Sequence, residues 1–366
     1  MTLLVTVIAV ALVFEFINGF HDTANSIATV VSTKVLTPRQ AVLLAAVTNL
    51  LGALWGTAVA KTISSGLVDA HLVTLSSGII VCALLGAIIW DLVTWWFGLP
   101  SSSSHALIGG LCGAVLAASG GNWKVILWSQ PSAQHWWLGK GLLWKVIVPM
   151  ITSPLAGLLL GFILMALLYV ILRNARPSKV NRFFGSAQMF SAAGMGFMHG
   201  TNDAQKTMGI IALTLLAATQ AGELAGLPSW LSFLHTTVPQ GKDLEIAVWI
   251  KVVCALTMAG GTAVGGWRII KTLGHKMVKL HPINGFAAEA SSATVIFVAT
   301  HFGIPVSTTH NISAAIMGVG AARRLNAIKW TVVERMVWAW ILTIPVCGGL
   351  AYGLVRCLQP FGLGGG

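Results

Sequence analysis

Long apolar runs alternate with short polar connections along the whole chain. Six runs approach or exceed the roughly 20 residues that a helix needs to cross the hydrocarbon core of a bilayer. They are continuously apolar, whereas a strand of a membrane barrel alternates between apolar and polar positions. Because lipid offers the backbone no hydrogen-bond partners, such runs form helices. The six runs cover residues 3–17, 41–60, 72–90, 146–172, 246–264 and 332–355.

The composition agrees with a surface that faces lipid. Of the 366 residues, 56% are hydrophobic and only 9% are charged, and the mean hydropathy is +0.82. A soluble chain carries about 25% charged residues. The sequence therefore predicts an all-α, polytopic membrane protein.

The net charge of +12 reflects membrane topology rather than nucleic-acid binding. Basic residues cluster in short connections, as they do on the cytoplasmic side of membrane proteins. The five cysteines show no paired spacing, so neither a disulfide framework nor a cysteine metal site is expected. No basic segment precedes the first apolar run, so we expect no cleaved signal peptide. The clusters are Lys34 with Arg39; Arg173, Arg176, Lys179 and Arg182; Arg268, Lys271, Lys276 and Lys279; and Arg323, Arg324 and Lys329.

Two pairs of polar segments indicate an internal repeat. Residues 19–25 resemble residues 200–206 at an offset of 181, and residues 98–105 resemble 303–310 at an offset of 205. A longer polar connection in the second half accounts for the difference between the offsets. We therefore predict two related halves, 1–172 and 186–366, joined by a cytoplasmic basic linker at 173–185.

Charge placement gives the two halves opposite orientations. With basic clusters inside, each half contains a re-entrant hairpin, and the hairpins enter from opposite faces. Both termini then lie on the extracytoplasmic side of the cell (inner) membrane. Inverted repeats with interrupted helices are a common plan of secondary transporters. We accordingly expect broken helices at 18–25 and 199–206 and hairpin tips at 98–105 and 303–310.

Asp22 and Asp203 are the first candidates for chemistry. A charged side chain within a membrane costs about 2.5–3.5 kcal/mol even on the lenient insertion scale, so each must meet water, a cation or a partner. A helix broken near Gly19 would free carbonyls for a cation and amides for an anion. A polar helix end at the membrane surface is the alternative, but the apolar chain resumes after Asn25 and the motif recurs.

The two hairpin tips are the second candidate. Pro100 and Pro305 stop a helix, and hydroxyl residues follow before the next apolar segment. Such residues cap free amides at a helix start, and a helix N-terminus binds oxyanions. Ordinary N-capping is the alternative. His105 and His310 are expected to brace the tips by hydrogen bonding, with direct proton carriage as the alternative. The hydroxyl residues are Ser102, Ser103, Ser104, Ser307, Thr308 and Thr309.

Together these motifs resemble the inorganic phosphate transporter (PiT) family, in its bacterial low-affinity branch. The resemblance covers essentially the whole chain. It implies a helical bundle with two re-entrant hairpins, phosphate taken up with sodium or protons, and a homodimer in the lipid bilayer. By resemblance, Asp22, Asn25 and Asp203 line a cation-and-phosphate site. Asn202 and Lys206, which flank Asp203 in the sequence, are further candidates for cation coupling. The six hydroxyl residues of the tips hold phosphate oxygens.

The second half departs from the pattern of sodium-coupled members. They carry Ala and Asn where this chain has Gln205 and Lys206. An amide oxygen can coordinate a metal ion, whereas an ammonium group only donates hydrogen bonds. We therefore hypothesise proton-coupled uptake without a cofactor, in which phosphate travels as such or as a neutral complex with Mg²⁺ or another divalent ion. Lys206 extending to the membrane interface is the alternative.

Two further acids, Glu15 and Glu289, are candidate proton relays, and Asp91 is expected to pair with a nearby donor. Three other functions compete with phosphate transport. A sulfate permease of the same fold is the nearest, but phosphate can donate its own hydroxyl to the aspartates and sulfate cannot. An anion or metal-ion channel would show a symmetric pore-lining element. The chain carries no hydrolase, metalloprotease or nucleotide-binding motif, so we expect no enzyme.

Overall fold

The computed structural model describes residues 2–65, 67–68, 72, 76–130, 139–226, 228–237 and 244–361. In these ranges the chain forms twelve α-helices, and its only β-structure is isolated bridges. The all-α prediction is confirmed. The helices are α1 Thr2–Ser32, α2 Pro38–Ala53, α3 Ala58–Ser65, α4 Ser77–Phe97, α5 Ser103–Ala118, α6 Val148–Ile171, α7 Pro177–Gln220, α8 Val248–Val264, α9 Trp267–Lys271, α10 Pro282–His301, α11 Thr308–Arg323 and α12 Trp330–Leu358.

Several helices have the length and apolar composition of membrane spans. Among the described residues these are α1, α4, α10, α12 and the segment Leu143–Ile171, which joins a π-helical turn to α6. A sixth is counted if α8 and the segment Trp267–Lys276, bent by 58° at a short break, form one span. These helices confirm a multi-pass membrane protein.

The predicted helix breaks at 18–25 and 199–206 are wrong. Helix α1 runs through Asp22 over 31 residues, and α7 runs through Asp203 over 44 residues. Both polar stretches are buried among other helices, so their side chains find partners without opening the backbone. Thr23 even donates its hydroxyl to the Gly19 carbonyl of its own helix (2.6 Å).

The helix breaks lie one helix further along in each half. Helices α2 and α3 are separated at 54–57, and α8 and α9 are separated at Gly265 and Gly266. Gly56 has φ 80° and Gly265 has φ 76°, a backbone region that glycine enters without steric cost. The apolar run 41–60 is therefore two helices rather than one.

Two helical hairpins are present where the sequence predicted them. Helices α4 and α5 join through 98–102, and α10 and α11 join through 302–307. Gly98 (φ 65°) and Gly303 (φ 62°) allow the chain to leave the first arm of each hairpin. Each tip is held by the interrupted helix pair of the other half. Thr272, which follows α9, donates to the Gly98 carbonyl of the first tip (2.8 Å), and Thr62 of α3 donates to the Gly303 carbonyl of the second tip (2.7 Å).

Equivalent contacts recur in the two halves. Gly52 of α2 approaches the carbonyl of Phe197 in α7, and Gly261 of α8 approaches the carbonyl of Phe16 in α1. Phe16 and Phe197 are related by the offset of 181. Helix α5 packs on α12, as α11 packs on α6. This packing is consistent with an inverted repeat, whose boundaries at 1–172 and 186–366 stay a prediction. Most of the linker predicted at 173–185 is helical, because α7 begins at Pro177.

The close helix contact at Gly52 gives a first prediction. A Cβ atom there would lie 2.0 Å from the Phe197 carbonyl oxygen. Since backbone must shift to relieve this clash, Gly52→Ala is expected to lower the free energy of unfolding by about 1–3 kcal/mol. Gly194→Ala in α7 is the control, since a Cβ there meets nothing within 4 Å. Thermal unfolding in detergent measures both, and equal stability of the two variants would contradict the close contact.

Candidate functional site

Asp22 and Asp203 come together between the two hairpin tips. One ligand atom from each of Asp22, His199 and Asp203 lies within 4.8 Å of the others. The three side chains are at most 2% exposed. The unbroken helices α1 and α7 therefore cross at their polar stretches, and each half supplies one carboxylate to the same buried cluster.

The helix starts of α5 and α11 complete the cluster. The Ser102 hydroxyl accepts a hydrogen bond from the His105 amide (3.3 Å), and the Ser307 hydroxyl accepts one from the His310 amide (3.2 Å). Both serines are thus N-caps that satisfy free amides. All six predicted hydroxyl residues are buried, none more than 4% exposed.

The second tip contacts both aspartates and Asn25. Asn25 donates its amide hydrogens to Thr308 (3.2 Å) and Thr309 (2.9 Å). Thr308 donates in turn to Asp203 (2.8 Å), and Thr309 donates weakly to Asp22 (3.4 Å). Residues of α1, α7 and α11 that are up to 287 positions apart therefore form one hydrogen-bonded network.

Lys206 connects Asp203 to both tips. Its ammonium group donates to the Asp203 carboxylate, to the Ser104 hydroxyl of the first tip and to the Val306 carbonyl of the second tip (3.1 Å). The residue is 2% exposed. The alternative in which Lys206 extends to the membrane interface is wrong, because its partners lie inside the protein.

Each aspartate also has a histidine partner that the sequence analysis missed. His21 Nδ1 lies 2.7 Å from Asp22 Oδ1, and His199 Nε2 lies 3.0 Å from Asp203 Oδ2. The other ring nitrogen of His199 contacts Asn49 (3.1 Å). The available signal was spacing, since His199 stands four residues before Asp203 on the same helix. Imidazole and carboxylates fit a transition-metal or divalent cation, although the Lys206 ammonium group already holds the other oxygen of Asp203.

The rings of His105 and His310 brace the tips by ring contact, while the backbone amides of both residues donate hydrogen bonds to the tip serines. Their ring centroids are 4.8 Å apart in an edge-to-face arrangement. His310 stacks on Trp340 of α12 at 4.2 Å, and neither of its ring nitrogens has a hydrogen-bond partner among the described residues. The Trp340 indole donates to the Pro100 carbonyl (3.0 Å). One tryptophan therefore holds both tips.

Three predicted residues lie outside the cluster. Asn202 donates to Thr300 (2.8 Å) and to the Ile304 carbonyl (3.4 Å), both in the second hairpin. Glu15 accepts a hydrogen bond from Thr207. Glu289 accepts hydrogen bonds from three donors on α1 and α7, which are Thr29, Gln188 and Ser191. A part for the two glutamates in proton transfer stays a prediction.

Comparison with known proteins agrees with this architecture. The model of the "Phosphate transporter family" matches residues 18–351. A "Probable low-affinity inorganic phosphate transporter" of Bacillus subtilis (strain 168) is 42% identical over 97% of this chain and 98% of the relative. A protein of the same description from Rhizobium meliloti (strain 1021) is 44% identical over 94% of this chain and 92% of the relative.

A solved structure described as "The sodium-dependent phosphate transporter" has a similar fold. Its TM-score is 0.77, its sequence is 23% identical, and the match covers 98% of this chain and 99% of that one. At this identity the likeness concerns the fold alone. The family match spans most of the chain, and two relatives exceed 40% identity over nearly their full lengths. The chain belongs to the phosphate transporter family.

Proposed function

We propose that this protein is a secondary active transporter that imports inorganic phosphate together with protons. The observation that supports it best is the buried cluster in which two hydroxyl-rich helix starts meet two aspartates. Membership of the phosphate transporter family supports phosphate as the substrate. Since the family is one of transporters, we propose no enzymatic activity.

Phosphate binding follows from the donors at the helix starts. The free amides of α5 and α11, with the Ser103 and Ser104 hydroxyls, supply neutral donors to the phosphate oxygens. Thr308 and Thr309 join them when they release Asp203 and Asp22, to which they donate in this structure. Ser102 and Ser307 shape the tips as caps and retain a hydroxyl hydrogen to donate. Asp22 accepts from the hydroxyl of the phosphate ion, which sulfate lacks at neutral pH. This complementarity favours phosphate over sulfate.

The position of Lys206 supports protons over sodium. Its ammonium group contacts the Asp203 carboxylate inside the protein, and a sodium ion placed there would meet a fixed positive charge a few ångströms away. Two unit charges at 4 Å repel by about 4 kcal/mol at an effective dielectric constant of 20. In this proposal Lys206 is a tethered cation that replaces one coupling ion.

A divalent cation whose charge is already neutralised by phosphate, unlike a bare sodium ion, fits beside Asp22, Asn25 and His199. The Asn25 amide oxygen has no hydrogen-bond partner among the described residues, and the histidine and carboxylates provide further ligand atoms. Phosphate entering as a neutral metal complex would bring such a cation with it. The site would then hold the complex through both the metal ion and the phosphate oxygens.

Burial of the cluster favours a carrier over a channel. Asp22, Asp203 and Lys206 are all at most 2% exposed, so an ion reaches them only if the surrounding helices move. Inverted-repeat transporters expose a central site to one face at a time by such movements. A channel would instead offer a continuous path.

Phosphate uptake into proteoliposomes tests the proposal. Proton, sodium and magnesium gradients are imposed one at a time on the purified protein with radiolabelled phosphate. We expect an inward proton gradient to concentrate phosphate, a sodium gradient to have no effect, and excess sulfate to compete poorly. Strict sodium dependence, or transport of sulfate as fast as phosphate, would contradict the proposal.

The replacement Lys206→Asn tests the tethered cation. It removes the ammonium group and introduces the asparagine that sodium-coupled members carry. We expect sodium to stabilise this variant, by about 2.7 kcal/mol at a hundred times its dissociation constant, and to leave the wild type unchanged. Thermal unfolding in sodium and in choline chloride gives the measurement, with Lys271→Asn as the control. A variant that responds equally to both salts would contradict the assignment.

A further inference from the structure

Asp91 is a buried acid that the site described above does not use. It lies on α4, the first arm of the first hairpin, and is 0% exposed. Neither of its carboxylate oxygens makes a hydrogen bond of regular geometry with the described residues. The Ser103 hydroxyl is the donor placed to interact with it, so the predicted pairing with a nearby donor stays a prediction. An ionisable group held within a membrane at such a cost is most simply explained by function.

Asp91 adjoins the first tip through Ser103. Its electrostatic neighbours are Ser103, His21 and Asp22. The Ser103 hydroxyl, at the first residue of α5, also lacks a hydrogen-bond partner. The Ser103 hydroxyl is one of the groups proposed to donate a hydrogen bond to phosphate, so Asp91 neighbours a proposed phosphate-binding residue.

A chain of polar groups runs from this part of α4 to the aspartate cluster. Thr94, one turn after Asp91, contacts His21 Nε2 (3.1 Å) and accepts a hydrogen bond from Ser101 (2.7 Å). The other nitrogen of His21 contacts Asp22 (2.7 Å). Asp91 is therefore next to a polar route and not isolated in the apolar core.

This polar route occurs in only one half of the protein. At the offset of 205, the counterparts of Asp91, Thr94 and Ser101 are Ile296, Ala299 and Val306. A group needed only to hold a hairpin together would have an equivalent in the second hairpin. The asymmetry indicates a task that the protein performs once.

Among the described residues, the cationic group that acts on Asp91 is the His21 imidazole, and Asp91 shares it with Asp22. Helix α1 presents His21 and Asp22, α12 presents the Cys347 thiol, and α5 presents only the Ser103 hydroxyl. From α9 the Arg268 guanidinium lies over the rings of Trp95 and Trp96 near the end of α4. Helix α7 touches α4 lightly, and its Asp203 and Lys206 pair with each other. A proton is the simplest ligand that neutralises Asp91 in this setting.

We propose that Asp91 binds the transported proton and that its protonation prepares Ser103 to bind phosphate. This inference rests on the proton-coupled phosphate transport proposed above. A protonated carboxyl group donates its hydrogen to Ser103 Oγ, which leaves the serine hydrogen for a phosphate oxygen. An ionised Asp91 accepts that hydrogen instead, and its negative charge repels phosphate. One proton binds to Asp91 before phosphate and leaves to the cytoplasmic water after it, so Asp91 returns to its ionised state at the end of each cycle.

Asp91→Asn separates coupling from phosphate binding. The asparagine amide donates to Ser103 as the protonated acid does, but it cannot release a proton. In proteoliposomes we expect this variant to exchange external for internal phosphate at equal pH near the wild-type rate. Its accumulation of phosphate in a pH gradient should fall to the level seen without a gradient. Glu334→Gln, which neutralises an exposed acid of α12, should keep both activities.

The possible outcomes distinguish this inference from the proposed function. Gradient-driven accumulation by Asp91→Asn would overturn the inference alone, as would loss of exchange in a correctly folded variant. A wild type that exchanges no phosphate, or exchanges it without response to a pH gradient, would overturn the proposed function and the inference together. If Asp91→Asn does not fold, the variant Asp91→Glu provides the test. We expect it to keep gradient-driven accumulation of phosphate but to shift the pH dependence of that accumulation. An unchanged pH dependence would refute the role of Asp91 in proton binding.

Discussion

Phosphate uptake is expected to fall about a hundredfold or more when Asp22 is replaced by asparagine. In the proposed site the Asp22 carboxylate interacts with phosphate and with a cation, and interactions with a charged group contribute about 1.5–3 kcal/mol each. Losing two of them amounts to about a hundredfold, since 1.4 kcal/mol corresponds to about tenfold. The asparagine lacks the negative charge that holds a cation. It also lacks the second carboxylate oxygen, which would accept a hydrogen bond from phosphate.

Transport and folding have to be measured together for Asp22→Asn. The variant keeps an oxygen at the same position, and no ammonium group depends on Asp22, so we expect membrane insertion and thermal stability close to the wild type. Glu223→Gln, which removes an exposed carboxylate near the end of α7, is the control. A stable Asp22→Asn protein that imports phosphate at the wild-type rate would remove Asp22 from the mechanism.

Asp203→Asn is expected to be inactive and also markedly less stable. It leaves the Lys206 ammonium group buried without a counter-charge, and breaking a buried ion pair costs about 3–5 kcal/mol. The two aspartates, equivalent in the repeat, should therefore behave differently in thermal unfolding. The unfolding temperature of Asp203→Asn should fall well below that of Asp22→Asn.

A double variant separates the two effects at Asp203. Adding Lys206→Gln to Asp203→Asn removes the unpaired ammonium group, so we expect stability to recover while transport stays absent. Equal stability of Asp203→Asn and Asp22→Asn would show that Lys206 does not depend on Asp203. Recovery of transport in the double variant would show that the pair is structural only.

The sequence predicted the parts of the fold that depend on local pattern. Apolar length predicted the spanning helices, and Gly98 and Gly303 with the prolines after them predicted the hairpin tips. The helix breaks were misplaced, because consecutive polar residues around Asp22 seemed incompatible with a helix inside a membrane. They are compatible because neighbouring helices bury them, and a single sequence does not reveal which helices those are. Gly56 and Gly265 were the local signals of the true breaks.

The sequence predicted most of the residues that form the candidate site but not the contacts between them. The repeat placed Asp22, Asp203 and the tips together, because equivalent positions of an inverted repeat meet at the centre. Two of the site's contacts could not be predicted from a single sequence, because they join residues far apart in the chain. They are the hydrogen bonds of Lys206 to both tips and the contacts of Trp340 with Pro100 and His310.

The central claim is that phosphate binds between the helix starts of α5 and α11, beside both aspartates. An electron cryo-microscopy structure of the purified protein in saturating phosphate, compared with one in phosphate-free buffer, tests it most directly. The account predicts added density within hydrogen-bond distance of Ser104, Thr308 and Thr309. Phosphate density elsewhere, with the two tips facing water on opposite surfaces, would contradict it.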